Sequence, residues 1–437
     1  MATEPADGAP APQGWADATA AGKTARTIET VFRIERARLI GGLARFVRDV
    51  GLAEDLAQEA LVAALAEWPR SGVPARPGAW LMAAAKRRAI DGFRRCRMMA
   101  RKHAEIATEA ALDGGVTVFD ETEEDGLGDP LLRLFFAACH PMLGPASRIA
   151  LTLRLIGGLT TAEIARAFLS SETAMAQRIA RAKRQLRGAG LRFEVPDGAE
   201  RRARLGSVLE SVYLMFNEGY AATAGEDLIR PALCDEARRL GRLLVAVADD
   251  EPEVHGLSAL MDIQASRQAA RVAADGALVP LTEQDRTRWD RLLIRRGLAA
   301  LARAEVLGGA DGPYALQAAL AACHARARSA GETDWSRIAG LYDRLRAAMP
   351  SPVVELNRAI AHGMAYGPQT GLALLAPLEG CAALRGYAPL PAAIGDCLFR
   401  AGRPAEARHC FERAAALSGN ARERAFLLSR AAACDSS

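Results

Sequence analysis

Apolar residues recur at three- and four-residue spacings along most of this chain, and Gly or Pro stands at nearly every break in the pattern. No segment alternates apolar and polar residues as a half-buried strand would. Such a chain buries its apolar stripes by packing helix on helix, so the expected fold class is all-α. Its 437 residues, 50% of them hydrophobic and 25% charged, suffice for two or three packed domains. No run of about 18 apolar residues occurs. The opening "MATEPADGAPAPQGWADATAAGK" carries two early acids and no continuous apolar segment, so neither a membrane span nor a secretory signal is expected, and the location is expected to be cytoplasmic. Eight cysteines, at 96, 139, 234, 323, 381, 397, 410 and 434, form no CxxC and no His/Cys cluster at zinc spacing. They read as reduced, mostly buried small hydrophobes, and no metal or cofactor is expected.

The net charge of +4 says little, but its distribution divides the first half of the chain. From Lys86 to Lys102 there are eight basic residues against one acid, and from Arg178 to Arg192 six against none. Between these islands, from His103 to Leu132, stand nine Asp and Glu and no Lys or Arg. With "LDGGVTVFDETEEDGLGDP" this reads as a solvated linker, residues 103–130, between two separately folded units, 26–102 and 131–193. Residues 1–25, rich in Ala, Pro and Gly, read as a disordered tail, and residues 201–434 as a long helical region.

The second island lies in "LTTAEIARAFLSSETAMAQRIARAKRQLR", residues 159–187. Thr160 with Glu163 three residues on is a capping-box pattern, which starts a helix at Thr161 with Ile164, Ala165 and Phe168 on one face. Leu169 to Ser171 breaks it, and Ser170 or Ser171 can cap the next helix, whose Met175, Ile179, Ala182 and Leu186 form an apolar stripe. This is helix-turn-helix spacing. Thr173, Gln177, Arg181 and Arg184 share the opposite face, suited to base edges in a major groove, with Arg178, Lys183 and Arg187 placed for phosphates. A solvated basic face on an ordinary helical hairpin explains the same residues equally well.

Upstream, "GLAEDLAQEALVAALAEWP" puts Leu52, Leu56, Leu61, Leu65 and Trp68 near one side and Asp55, Gln58 and Glu59 on the other. A Pro/Gly loop follows, then "AWLMAAAKRRAIDGFRR", apolar at Trp80, Leu81, Ala84, Ile90 and Phe93 and basic opposite. Such a helix can hold nucleic acid by charge and stacking, or be simply a solvated face.

Taken in order, "EDLAQEA", the loop, "AWL…AIDGFRR", the acidic linker and "LTTAEIARAF…RIARAKRQLR" resemble the two conserved regions of bacterial extracytoplasmic-function sigma factors, over roughly residues 26–193. The resemblance implies that Asp55, Gln58 and Glu59 face core RNA polymerase. It implies that Arg70, Arg76, Trp80, Lys86, Arg87, Arg88, Arg94 and Arg95, in the loop and following helix, face the −10 strand of promoter DNA. Thr173, Gln177, Arg178, Arg181, Lys183 and Arg184 would then read the −35 element. Where the family commonly has Asn within "ARN", this chain has Arg87, which offers charge and stacking instead of an amide's paired donor and acceptor. The linker would run through the polymerase cleft as a polyanion mimic, or be a solubilising segment.

In the second half, "AYGPQTGLALLAPL" aligns with "AGRPAEARHCFERAAAL" so that Pro368 falls over Pro404 and Leu375 over Phe411, a period near 36. Such a period resembles tetratricopeptide repeats, and "YLMFNEGY", "EPEVHGLSALMDIQASRQAAR" and "EQDRTRWDR" look like the long C-terminal extension of one branch of the sigma family. An irregular helical bundle is the other reading. Asp262, Glu283, Asp285, His324 and His362 come without a phosphate loop, metal triad or nucleophile motif, so no enzymatic activity is expected. "YLMFNEGY" reads as packing with a helix end at Gly219, or as an exposed turn carrying Asn217, Glu218 and Tyr220. The expected function is thus a sigma factor, with core polymerase and promoter DNA as partners and a protein regulator contacted through the repeats; the alternative is a polymerase-independent helix-turn-helix regulator. No membrane partner is expected.

Overall fold

The computed structural model describes residues 13–106, 129–168, 170–191, 193–196, 198–220, 231–273 and 277–436. Its regular structure is helical: among these residues are 18 α-helices and no extended strand, with an isolated bridge between Val272 and Leu278. Ten of the helices carry proline at the first helical position, where its missing N–H costs no hydrogen bond and its fixed φ suits the helix. No helix among the described residues is long and apolar enough to cross a membrane.

The chain divides into two compact units, Met1–Val208 and Leu209–Ser437. The first holds α1 (Gln13–Val47), α2 (Val50–Ser71), α3 (Pro77–Ile106), α4 (Pro130–Ala138), α5 (Pro145–Thr152) with a π turn over Leu153–Gly157, α6 (Thr161–Ala167) and α7 (Glu172–Gly188). Helix α8 (Gly198–Tyr220) runs through the division. The tail expected to be disordered meets α1, which already starts at Gln13; residues 1–12 lie outside the described residues. So do residues 107–128, the body of the acidic linker.

The two regions flanking that linker both lie in the first unit. Helix α1 packs on α4 as well as on α2 and α3. A Cβ on Gly41 of α1 would collide with the carbonyl of Pro130, so glycine there permits the close approach. The leucine row read from α2 is also corrected. Its buried stripe is Ala53, Leu56, Ala57, Ala60, Ala64 and Trp68, whereas Leu65 is 39% exposed. Alanines at i, i+4, i+7 let neighbouring helices approach closely, and Leu61 and Leu65 fall on the next row round.

The second unit continues with α9 (Pro231–Val247), α10 (Pro252–Ala265), α11 (Arg291–Val306), α12 (Pro313–Arg326), α13 (Trp335–Ala348), α14 (Pro352–Tyr366), α15 (Pro368–Leu375), α16 (Pro389–Arg400), α17 (Pro404–Leu417) and α18 (Ala421–Ala433). Pro368 and Pro404 open α15 and α17, and the aligned Leu375 and Phe411 are both buried. Small residues let these helices cross closely: a Cβ on Gly371 would stand 3.0 Å from the Cα of Gly363 and 2.9 Å from the sulfur of Cys397. "YLMFNEGY" is packing at a helix end, with Phe216 buried and α8 ending at Tyr220, one residue beyond Gly219, and not an exposed turn. Of the eight cysteines, none is in a disulfide, six are buried and Cys96 is exposed.

Candidate nucleic-acid interface

The helix-turn-helix is built by local hydrogen bonds. Thr160 Oγ1 accepts the Glu163 N–H at 3.2 Å while the Glu163 carboxylate accepts the Thr160 N–H at 2.7 Å, closing a capping box. The Thr160 hydroxyl also donates to that carboxylate at 2.8 Å, and the bonds it accepts, first from the Thr160 backbone and then from the hydroxyl, hold the Glu163 carboxyl below its ordinary range. After α6 the Ser170 N–H returns to the Ala165 carbonyl at 2.9 Å, and Ser171 Oγ caps α7 by accepting the Ala174 N–H at 3.2 Å. Met175, Ile179, Ala182 and Leu186 are buried beneath α7, where it packs on α5 and α6.

At 3.6 residues per turn, Thr173, Gln177, Arg181 and Arg184 fall within an arc of about 80°. All four are exposed. On one flank of that arc Arg178 is half-buried. On the other flank the structure brings in partners that the sequence did not suggest. Lys183 Nζ stands 2.6 Å from Glu54 Oε2 of α2, and Arg187 pairs with Asp49, the cap of the same helix.

Glu54 is 2% exposed and also receives Arg36 Nη2 at 2.9 Å and Arg154 Nε at 2.8 Å, so one buried carboxylate holds three cations. Arg36 uses its other nitrogen on the Arg154 and Leu155 carbonyls at 2.8 and 3.0 Å, and burial depresses its pKa against the opposing pull of Glu54. Arg36, Glu54 and Arg154 were absent from the sequence reading. A charged residue on the inner side of an amphipathic helix is the signal that marks Glu54, since it sits between the buried Ala53 and Leu56.

The other expected site residues lie on α2, α3 and the loop between them. Asp55, Gln58 and Glu59 are exposed on α2, and the same side presents Val62, 61% exposed, and Leu65. Arg70 and Arg76 are exposed at either end of the loop, Arg87, Arg94 and Arg95 are exposed on α3, and Lys86 and Arg88 are half-buried. Lys86 Nζ lies 5.8 Å from the Phe46 ring centre, and Trp80 meets the buried Trp68 edge-on at 5.2 Å. Arg88 Nη1 is 3.2 Å from Glu59 Oε2, so the two neighbouring expected surfaces touch through this pair.

The residues weighed for catalysis are dispersed. Asp262 is buried between Arg238 at 2.9 Å and Arg296 at 3.1 Å, Asp285 caps a short helical turn, and His362 faces Asp343 at 3.2 Å.

Comparison with known proteins accords with this geometry. Residues 31–97 match sigma-70 region 2 and residues 136–186 match sigma-70 region 4, while residues 204–305 match a family of unknown function (DUF6596). The probable ECF RNA polymerase sigma factor SigI of Mycobacterium tuberculosis, in strains CDC 1551 / Oshkosh and ATCC 25618 / H37Rv, is 29% identical over 159 residues, which span 36% of this chain and 54% of SigI. The chain thus carries sigma-70 region 2 and region 4 domains and is distantly similar to a sigma factor of the extracytoplasmic-function type. With an uncharacterized protein of Rhizobium meliloti (strain 1021) the identity is 43% over 393 residues, 90% of this chain and 92% of the relative, and the chain belongs to that protein's family. No solved structure matches the chain.

Proposed function

We propose that the protein recruits core RNA polymerase to specific promoters. The observation that carries this reading is the exposed arc of Thr173, Gln177, Arg181 and Arg184 on a helix whose apolar underside is fully buried, within the sigma-70 region 4 match. In this reading α7 enters the major groove of the −35 element, with Arg178 and Lys183 flanking the contact. The exposed side of α2, carrying Asp55, Gln58 and Glu59 with the apolar Val62 and Leu65, receives polymerase. Arg70, Arg76, Trp80, Lys86, Arg87, Arg88, Arg94 and Arg95 attend the −10 strand. The second unit, a tetratricopeptide-like extension, supports or controls this activity through a protein partner, and the protein acts in the cytoplasm without catalysing a reaction.

Reconstituted transcription with core polymerase, the full chain and a promoter library tests this. Promoter-specific initiation is expected, and Arg181→Ala should weaken −35 discrimination by about 1–3 kcal/mol while leaving helical content unchanged. Initiation indifferent to −35 sequence counts against the placement of α7. Salt-sensitive, specific duplex binding with no initiation would instead make the protein a polymerase-independent regulator.

A further inference from the structure

The second unit holds a cavity of about 550 Å³, partly open to solvent, with an unusually aromatic lining. The cluster formed by α14 to α18 is mostly Leu and Ala, with Phe399, Phe411 and Phe426 as its aromatic residues. Around the cavity stand Tyr213, Phe216, Tyr220, Trp289, Trp335 and Tyr342. That takes two of the five Trp and three of the six Tyr of the whole chain, so aromatic surface is concentrated here. The rings are held in place from behind: Phe216 stacks on Tyr220 at 5.5 Å, Tyr213 meets Tyr314 edge-on at 5.4 Å, and Tyr213 donates its hydroxyl to Gln317 at 3.0 Å.

Two polar atoms in these walls are unsatisfied. Trp289 is only 4% exposed, and neither its Nε1–H nor the buried Tyr220 hydroxyl meets a hydrogen-bond partner among the described residues. Native structures pair nearly all such groups, and an orphan of this kind asks for an explanation. Both residues line the cavity through their rings, while these two polar atoms are covered by protein.

The charge around the cavity is one-sided. Arg267 is its charged lining residue, and no Asp or Glu lines it among the described residues. The Arg267 guanidinium lies over the Tyr220 ring at 5.7 Å and donates to the Gln264 side chain. His324, edge-on to Trp335 at 5.3 Å, is held down to about 4 by burial and by Arg267 and Arg286. Its imidazole is therefore neutral at pH 7 and presents one donor and one acceptor. The volume falls in the range of small-molecule sites, which combine apolar walls with a few convergent polar groups.

We propose that this cavity binds a planar aromatic carboxylic acid, with its rings between the Trp and Tyr faces and its carboxylate on the Arg267 guanidinium. One cation without an opposing acid selects a monoanion, and flat walls select fused rings over an alkyl chain. The site is independent of the promoter-recognition reading, because every residue in it belongs to the second unit.

The test is calorimetric titration of the full chain with 2-naphthoate and with its neutral counterpart 2-naphthamide. Saturable one-to-one binding of the acid is expected, with a Kd on the order of 10–100 µM for a ligand of that size. The amide should bind at least about tenfold more weakly, and Arg267→Met should weaken the acid by a similar factor without affecting the amide. Because the acid–amide comparison needs only the unaltered protein, it stands even if Arg267→Met fails to fold. Equal affinity for acid and amide overturns the proposal, as does absence of saturable binding at millimolar acid.

Discussion

Each unit of this protein buries one acid among arginines or lysines, and the two sites are built differently. In the second unit Asp262 of α10 takes its partners from α9 and α11, the helices beside it in sequence. In the first, Glu54 takes Arg36 from α1, Arg154 from the π turn and Lys183 from α7, the last 129 residues away. The Asp262 site therefore ties neighbouring helices, while the Glu54 site ties segments from both sides of the acidic linker. Buried carboxylates of this kind are costly to desolvate, so what they contribute is mostly lost when one partner is removed and the others stay behind uncompensated.

The largest effect expected from this contrast is that of Glu54→Ala, which leaves three cations without their acid and should destabilise the first unit by about 3–5 kcal/mol. Hydrogen exchange should then quicken in α1, α2 and α7 and stay unchanged in α9 to α11. Asp262→Ala should cost less, about 1–3 kcal/mol, because Arg238 keeps Asp235 at 3.0 Å and the Arg296 side chain is 40% exposed, and it should show the reverse exchange pattern. If either change loosened both units together, the contrast would be lost.

An effect of similar size concerns the second unit alone. The folded value for His324, about 4, lies below that of a free imidazole, so on acidification the unfolded chain takes up the proton first. Its contribution is whole above about pH 6.5 and is lost as pH falls toward 4, by about 2–3 kcal/mol in all. His324→Gln should remove that part of the pH dependence of unfolding; an identical profile would show that the imidazole is not the group responsible. Smallest of all, Arg88→Ala breaks an ion pair whose side chains are 41% and 54% exposed. A loss under about 1 kcal/mol in denaturant unfolding is expected, and a larger one would mean that α2 and α3 depend on surface charge as the Glu54 site depends on buried charge.

What was legible in the sequence was short-range. Thr160 and Glu163, Ser171, the Met175-to-Leu186 stripe and the prolines at helix starts act within one or two turns, so their spacing alone places them. The exposure of Asp55, Gln58 and Glu59 was legible for the same reason. The α2 leucines misled because hydrophobicity does not say which row a neighbouring helix can approach, and there the alanine row won. Glu54 was overlooked inside an acidic string although its neighbours are apolar, since nothing local points to Arg36, Arg154 or Lys183. The cavity was invisible because its walls come from residues between Tyr213 and Ala361, brought together only by tertiary packing. "YLMFNEGY" stood out as a string, but its role as a wall depends on helices that follow it.

The pairing of Lys183 with Glu54 and of Arg187 with Asp49 changes the arithmetic of any encounter between α7 and a polyanion. Each phosphate neutralised on duplex DNA releases about 0.9 of a condensed counterion, which is the source of salt-sensitive affinity. Lys183 and Arg187 do not arrive bare: to reach a phosphate they must leave a tethered carboxylate, whose effective concentration is on the order of millimolar or more. Asp49, once freed, takes a cation from solution and offsets one that the DNA gives up, whereas the buried Glu54 keeps Arg36 and Arg154. If α7 binds duplex DNA as proposed, these two side chains exchange one anionic partner for another, and affinity should fall less steeply with salt than the basic residues of α7, counted along the helix, would suggest.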